Sequence, residues 1–164
     1  MARQQSGSGR GRRGPDRHTH GRHDSADWPL RNAVAEIVSG IGPAVPVTLD
    51  IAAAQRVSAA AAGLAGALAA LVETACASAA MPAGPSDAPQ VAEVVVTSVD
   101  SGTALEIEVA DSGPMTAPGR MAALTAARAF ATRHGGHVAV RPCPEGGTAV
   151  TIHLPHRQAS RRAA

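Results

Sequence analysis

Lysine is absent from this 164-residue chain, so all fifteen basic residues are arginine. Aromatic residues are reduced to Trp28 and Phe130, and the core must be built from Ala, Val, Leu and Ile. Such a core buries less area per residue than one containing Phe and Tyr, which predicts modest stability. The two cysteines, Cys76 and Cys143, stand in unrelated contexts with no CxxC spacing. That excludes a disulfide scaffold and a cysteine metal site, and it reads as two reduced thiols in a cytoplasmic protein. Long hydrophobic runs are missing as well. The most apolar stretch, residues 57–72, is rich in Ala, Gly and Ser and bounded by Arg56 and Glu73. It falls short of the roughly 20 strongly apolar residues a membrane span needs, and it reads as a buried helix. The N-terminus has arginine and glycine without an apolar core, so it carries no secretory signal.

Charge is unevenly spread. Residues 1–27 hold six arginines against three aspartates, and residues 155–164 add Arg157, Arg161 and Arg162. Between them lies a mildly acidic span with six arginines and ten acids. Residues 1–27 and 156–164 therefore read as basic tails, the first disordered because it cannot bury enough apolar surface to offset ordering. The span 28–155 reads as one domain.

Within that span, apolar residues at 34, 37, 38 and 41 predict a helix over 32–41, ended by Gly42-Pro43. Residues 45–51 predict a strand, placed at a sheet edge by Pro46. Residues 52–80 predict a long helix with Leu64, Leu68, Leu71 and Val72 on one stripe. Three prolines make 81–90 a loop. Residues 91–99 and 103–110 predict an antiparallel pair turned at Asp100-Ser101-Gly102, with Leu105, Ile107 and Val109 inward and Glu106 and Glu108 toward solvent. A Gly/Pro loop over 112–120 precedes a helix over 121–133, stopped by Gly135-Gly136. Strands over 138–141 and 148–154 close the chain. This order predicts an α/β fold, a two-layer sandwich with helices on one face of a mixed sheet.

Three motifs punctuate the C-terminal half. A strand ends at Asp111-Ser112-Gly113, a helix leads into His134-Gly135-Gly136, and the last hairpin contains Glu145-Gly146-Gly147-Thr148. In this order and spacing they resemble the histidine-kinase-like ATP-binding domain, shared by sensor kinases, anti-sigma kinases and gyrase B. The resemblance spans about residues 43–155 and is strongest from 105 to 154. It implies that Asp111 accepts a hydrogen bond from the adenine amino group, that Gly113 lets the backbone approach the base, and that Thr148 supports the same corner. It places Thr74 where the family carries a magnesium-ligating Asn, and Ala70 where gyrase-type members carry a general-base Glu. Glu73 lies on another face of that helix and does not replace either.

The resemblance also marks losses. Met121-Ala122-Ala123-Leu124 stands where the family holds phosphates on a glycine box at a helix N-terminus. Met115 ends the DxGxG box, and the intervening lid is about nine residues long. The expectation is therefore a degraded phosphate site. Thr74, Asp111, Gly113 and Thr148 remain as a vestigial nucleotide set, with no catalytic residue, no metal site, and ATP/Mg binding at most weak. The chain would act in a bacterial two-component or anti-sigma-like circuit through a protein partner, such as a response regulator, a sigma or anti-sigma component or a kinase. Two alternatives stand beside it. One is a functional ATP-binding histidine or serine kinase domain. The other is a nucleic-acid-associated protein using the Arg-rich N-terminal tail. His23-Asp24 near Trp28-Pro29 faintly resembles a phosphoacceptor motif, but no room for a dimerisation hairpin precedes residue 45.

Overall fold

A computed structural model describes residues 28–57, 61–82, 91–144 and 146–156. The tails 1–27 and 157–164, most of the 81–90 loop and Glu145 lie outside the described residues. Five strands form one mixed sheet, and naming elements in chain order makes the topology plain. They are β1 (Trp28–Pro29), α1 (Leu30–Ile41), β2 (Val47–Asp50), β3 (Arg56–Val57), α2 (Ala61–Ala79), β4 (Val94–Asp100), β5 (Ala104–Asp111), α3 (Arg120–Arg133), β6 (His137–Pro142) and β7 (Thr148–Pro155). The main sheet runs β2-β4-β5-β7-β6, with β2 parallel to β4 and every other pair antiparallel. Pro46 precedes an edge strand, where a missing N–H disrupts no ladder.

Alternation decides which face of the sheet is covered. Leu105, Ile107 and Val109 on β5 are buried, as are Val150, Ile152 and Leu154 on β7 and Val94 and Val96 on β4. They meet α2, which lies between α1 and α3 and packs on β4 and β5, while α3 covers β6 and β7. The α2 stripe Leu64, Leu68, Leu71 and Val72 is buried as its spacing predicts, and Phe130 of α3 joins the same core. The helices thus share one side, giving the expected two-layer α/β sandwich. On the uncovered face Glu106 and Glu108 are half-buried rather than fully solvated. Glu106 pairs with His153 at 3.1 Å, and Glu108 accepts a 2.9 Å hydrogen bond from Thr151.

The chain departs from its sequence expectation after Ile51. Helical propensity predicts a helix from Ala52, yet α2 begins at Ala61. Residues 52–57 make a turn and then β3, which pairs antiparallel with β1, and residues 58–60 lie outside the described residues. Leu30 N–H donates to the Gln55 carbonyl at 3.2 Å, and the buried Gln55 amide oxygen accepts from the Ser98 hydroxyl. These tertiary hydrogen bonds override a weak local preference, as propensity allows. The 103–110 strand extends by one residue to Asp111, and α3 starts at Arg120 instead of 121.

Candidate functional site

The alternation that buries Leu105, Ile107 and Val109 continues to Asp111, which is 4 % exposed. A carboxylate at the end of an apolar row must be paired and hydrogen-bonded to tolerate that position. Arg120, at the first position of α3 and also 4 % exposed, supplies the partner. Its two terminal nitrogens meet both carboxylate oxygens, Nη1 to Oδ2 at 2.9 Å and Nη2 to Oδ1 at 3.0 Å. This is the parallel fork that makes arginine–carboxylate pairs strong and directional.

Further donors and acceptors complete the cluster. Gly113 N–H donates to Asp111 Oδ1 at 2.9 Å. Arg120 Nη2 also donates to Ser78 Oγ at 2.7 Å and to the Pro114 carbonyl at 3.3 Å, and the Ser78 hydroxyl reaches that same carbonyl at 3.3 Å. Ser78, fully buried on the last turns of α2, therefore ties three elements together. Among the described residues Arg120 Nε has no partner.

Main-chain packing fixes the corner. A Cβ on Gly113 would overlap the Ser78 side chain and its carbonyl, so the loop lies directly on the end of α2. Gly147, with φ +100°, packs against the Asp111 carbonyl, where a side chain would also collide. Thr148 stands opposite Asp111 in the β5–β7 register, and its buried hydroxyl donates to the Gly113 carbonyl at 3.4 Å. Nearby charge reaches the thiols. Burial pushes the Cys76 thiol above its usual 9.0, with the Asp111 carboxylate adding to the shift. Burial likewise raises Cys143, helped by Glu108 and Asp111.

No protein-family model and no curated protein sequence matches the chain. Solved structures do match. The mycobacterial sensor histidine kinase MprB superposes with a TM-score of 0.61 at 17 % identity, covering 79 % of this chain and 94 % of that one. The ATP-binding domain of PrrB from Mycobacterium tuberculosis gives 0.62 at 19 % identity, covering 79 % and 95 %. The Acinetobacter baumannii histidine kinase AdeS gives 0.63 at 14 % identity, covering 80 % and 67 %. The chain has the histidine-kinase-like ATPase fold.

Within this kinase-like fold three of the four residues singled out by sequence converge. Asp111, Gly113 and Thr148 meet at one end of β5 and β7. Thr74 lies on α2 one turn before Ser78 and takes no part in their hydrogen bonds. Its hydroxyl donates back to the Ala70 carbonyl of its own helix at 2.8 Å, and it faces Gly119 at the start of α3. Ala70 is partly buried and Glu73 is exposed on a different face, as the spacing predicts. Ser78 and Arg120 were not signalled by the motifs. The clue to Arg120 is electrostatic, since a cation on the first turn of a helix opposes its dipole unless an anion compensates it. No helix among the described residues is long and apolar enough to cross a membrane. Nor does any group of three or more His, Cys, Asp or Glu among them stand where it could hold a metal ion.

Proposed function

We propose that this chain is a bacterial signalling protein that uses a histidine-kinase-like fold as a protein-interaction module and has given up nucleotide turnover. The observation that carries this is the fork between Arg120 and Asp111. The carboxylate that the fold reserves for the adenine amino group has both oxygens engaged by a buried guanidinium. The phosphate end gives further support. Thr74 offers a hydroxyl already bonded to Ala70, and α3 opens with Arg120-Met121-Ala122 in place of glycines. The residues present do not fit Mg-ATP, and no catalytic step is assigned to them. The structural neighbours MprB and AdeS are named as histidine kinases, which supports a two-component or anti-sigma-like circuit in the cytoplasm as the setting, with a response regulator, a sigma or anti-sigma component, or a kinase as partner.

Calorimetric titration of the full-length protein with ATP and ADP, with and without magnesium, tests the reading. Binding should be no tighter than about millimolar, near −4 kcal/mol. Micromolar, magnesium-dependent binding of ATP would overturn it and restore the active-kinase alternative.

A further inference from the structure

We propose that the face of the sheet turned away from the helices is a docking surface for the chain's own arginine-rich segment, residues 157–164, which runs back along β5 from its exit at His156. The inference goes beyond the function proposed above and does not depend on it, because Asp111 closes β5 at the far end and belongs to the buried face.

The uncovered face can be read row by row. Glu106 and Glu108 of β5 stand on it, flanked in register by Val99 and Thr97 of β4 and by His153 and Thr151 of β7. Asp50 of β2, the register partner of Thr97, extends the acidic side by one more strand. Val99 is 60 % exposed, beside a Glu106 side chain that is 46 % exposed. A valine left open beside a carboxylate suits arginine, whose methylenes cover apolar surface while its guanidinium forks onto the acid. Among the described residues neither Glu106 nor Glu108 is paired with an arginine. Glu106 meets His153 at 3.1 Å, and Glu108 accepts from the Thr151 hydroxyl at 2.9 Å. Arg141 stands on the same face in the row beyond, opposite Ala149 on the edge strand β6.

The chain leaves the sheet next to these rows. Pro155 is the register partner of Ala104, which lies two residues from Glu106 and four from Glu108. At strand spacing those carboxylates are about 7 and about 13 Å from the exit. His156 is pinned there, since its N–H donates to the Thr103 carbonyl at 2.8 Å and its Nε2 lies 2.8 Å from Asp100 Oδ1. Residues 157–164 hold Arg157, Arg161 and Arg162 and no acid. Five extended residues past His156 cover up to about 17 Å, so Glu106 and Glu108 are both within range of the segment. The tether holds its arginines at an effective concentration near millimolar, which lets individually weak ion pairs act together.

Charge and connectivity favour this occupant over two others. A second copy would bring another acidic domain, since residues 28–154 hold ten acids against six arginines. Residues 1–27 are basic, but they join the domain at β1, which belongs to the separate two-stranded sheet.

Nuclear magnetic resonance on the full-length protein tests the inference. Arg157→Gln/Arg161→Gln/Arg162→Gln should shift the amide signals of Thr97, Val99, Glu106 and Glu108 in about 0.01 M salt, where the screening length is about 30 Å. In about 1 M salt, where that length is about 3 Å, the variant and the wild type should coincide at these residues. In Ser160→Cys/Cys143→Ser, a nitroxide on residue 160 should broaden Thr97 and Val99 at low salt. Cys76, 6 % exposed, is closed to the label. The broadening should fall at least about twofold at high salt, and equally when Glu106→Gln/Glu108→Gln is added. Should the labelled protein fail to fold, the arginine variant decides alone.

Signals indifferent to the three arginine substitutions overturn the inference. So does broadening that neither salt nor the glutamate substitutions alter, because a tethered segment without a docking site would produce it. Shifts that appear only when the arginines of residues 1–27 are replaced give the face to the other tail, and shifts that vanish on dilution give it to a second copy. Either result overturns the inference. No nucleotide enters these readouts, so failure of the function proposed above remains distinguishable as tight Mg-ATP binding.

Discussion

Arg120 and Asp111 lie nine residues apart in sequence and meet through two N–H···O bonds of 2.9 and 3.0 Å, with both side chains withdrawn from solvent. The loop between them closes on itself, and α3 is anchored to the end of β5 at its first residue. Burying both charges carries a desolvation penalty that only good geometry and extra hydrogen bonds can offset. Here the amide of Gly113, the hydroxyl of Ser78 and the carbonyl of Pro114 provide them.

A double-mutant cycle measures that coupling. Asp111→Ala and Arg120→Ala each strand a buried charge, and each should lower stability by about 3–5 kcal/mol. The combined variant should cost clearly less than the two losses added, because no charge is then left alone. Chemical denaturation followed by circular dichroism provides the numbers. Additive losses would mean that the two groups do not depend on each other.

Much of the fold was legible because apolar alternation is a strong signal. The rows 105-107-109 and 150-152-154 and the stripe 64-68-71-72 decided the buried faces, and the turn at Asp100-Gly102 fixed the hairpin register. The β1–β3 pair was not legible. Its two strands have two residues each, and Ala52-Ala53-Ala54 advertise a helix that long-range hydrogen bonds from Leu30 and Ser98 displace. At the site, motif spacing brought Asp111, Gly113 and Thr148 to notice. Yet the same alternation that faces Val109 inward also faces Asp111 inward, and a buried acid calls for a cation. Arg120 is the one arginine between Arg56 and Arg128. Spacing rules for glycine boxes attend to residue types that are missing, and so pass over a residue that has been added.

Alkaline pH should weaken the fold through its thiols. Cys76, with 6 % of its surface exposed, is held above its usual 9.0 first by burial and then by Asp111. Cys143 shifts the same way. Below about pH 8.5 both folded and unfolded chains keep these protons and stability does not depend on them. Above it the unfolded chain ionises first and holds fewer protons than the native one, so stability falls as pH rises. The chain has neither lysine nor tyrosine, which leaves the thiols as its main side chains titrating there. Melting temperatures taken from about pH 8 to about pH 10 should decline for wild type and flatten for Cys76→Ala/Cys143→Ala. Parallel slopes in the two proteins would refute the assignment.

Gly113 is required for packing against α2. In Gly113→Ala the new methyl group meets the Ser78 side chain and also its main-chain carbonyl. Overpacking of this kind typically costs about 1–3 kcal/mol. Since two of the three nearest atoms, the Ser78 carbonyl oxygen and carbon, are backbone, Ser78→Ala should fail to rescue the variant, and thermal melts of both proteins should show it. Full recovery in the Gly113→Ala/Ser78→Ala protein would place the constraint on the hydroxyl alone.

Asparagine at position 74, where the proposed reading would put a magnesium ligand, should achieve little by itself. Thr74→Asn returns an amide oxygen to α2, one turn from Ser78, and frees the Ala70 carbonyl that the threonine hydroxyl now occupies. Arg120 still holds Asp111, however, and the base has no acceptor to meet. Titration of Thr74→Asn with Mg-ATP should therefore resemble wild type, with affinity no better than about millimolar. Micromolar Mg-ATP binding by the single Thr74→Asn variant would show that the metal ligand was the only thing missing, and that the fork on Asp111 yields to nucleotide without being removed.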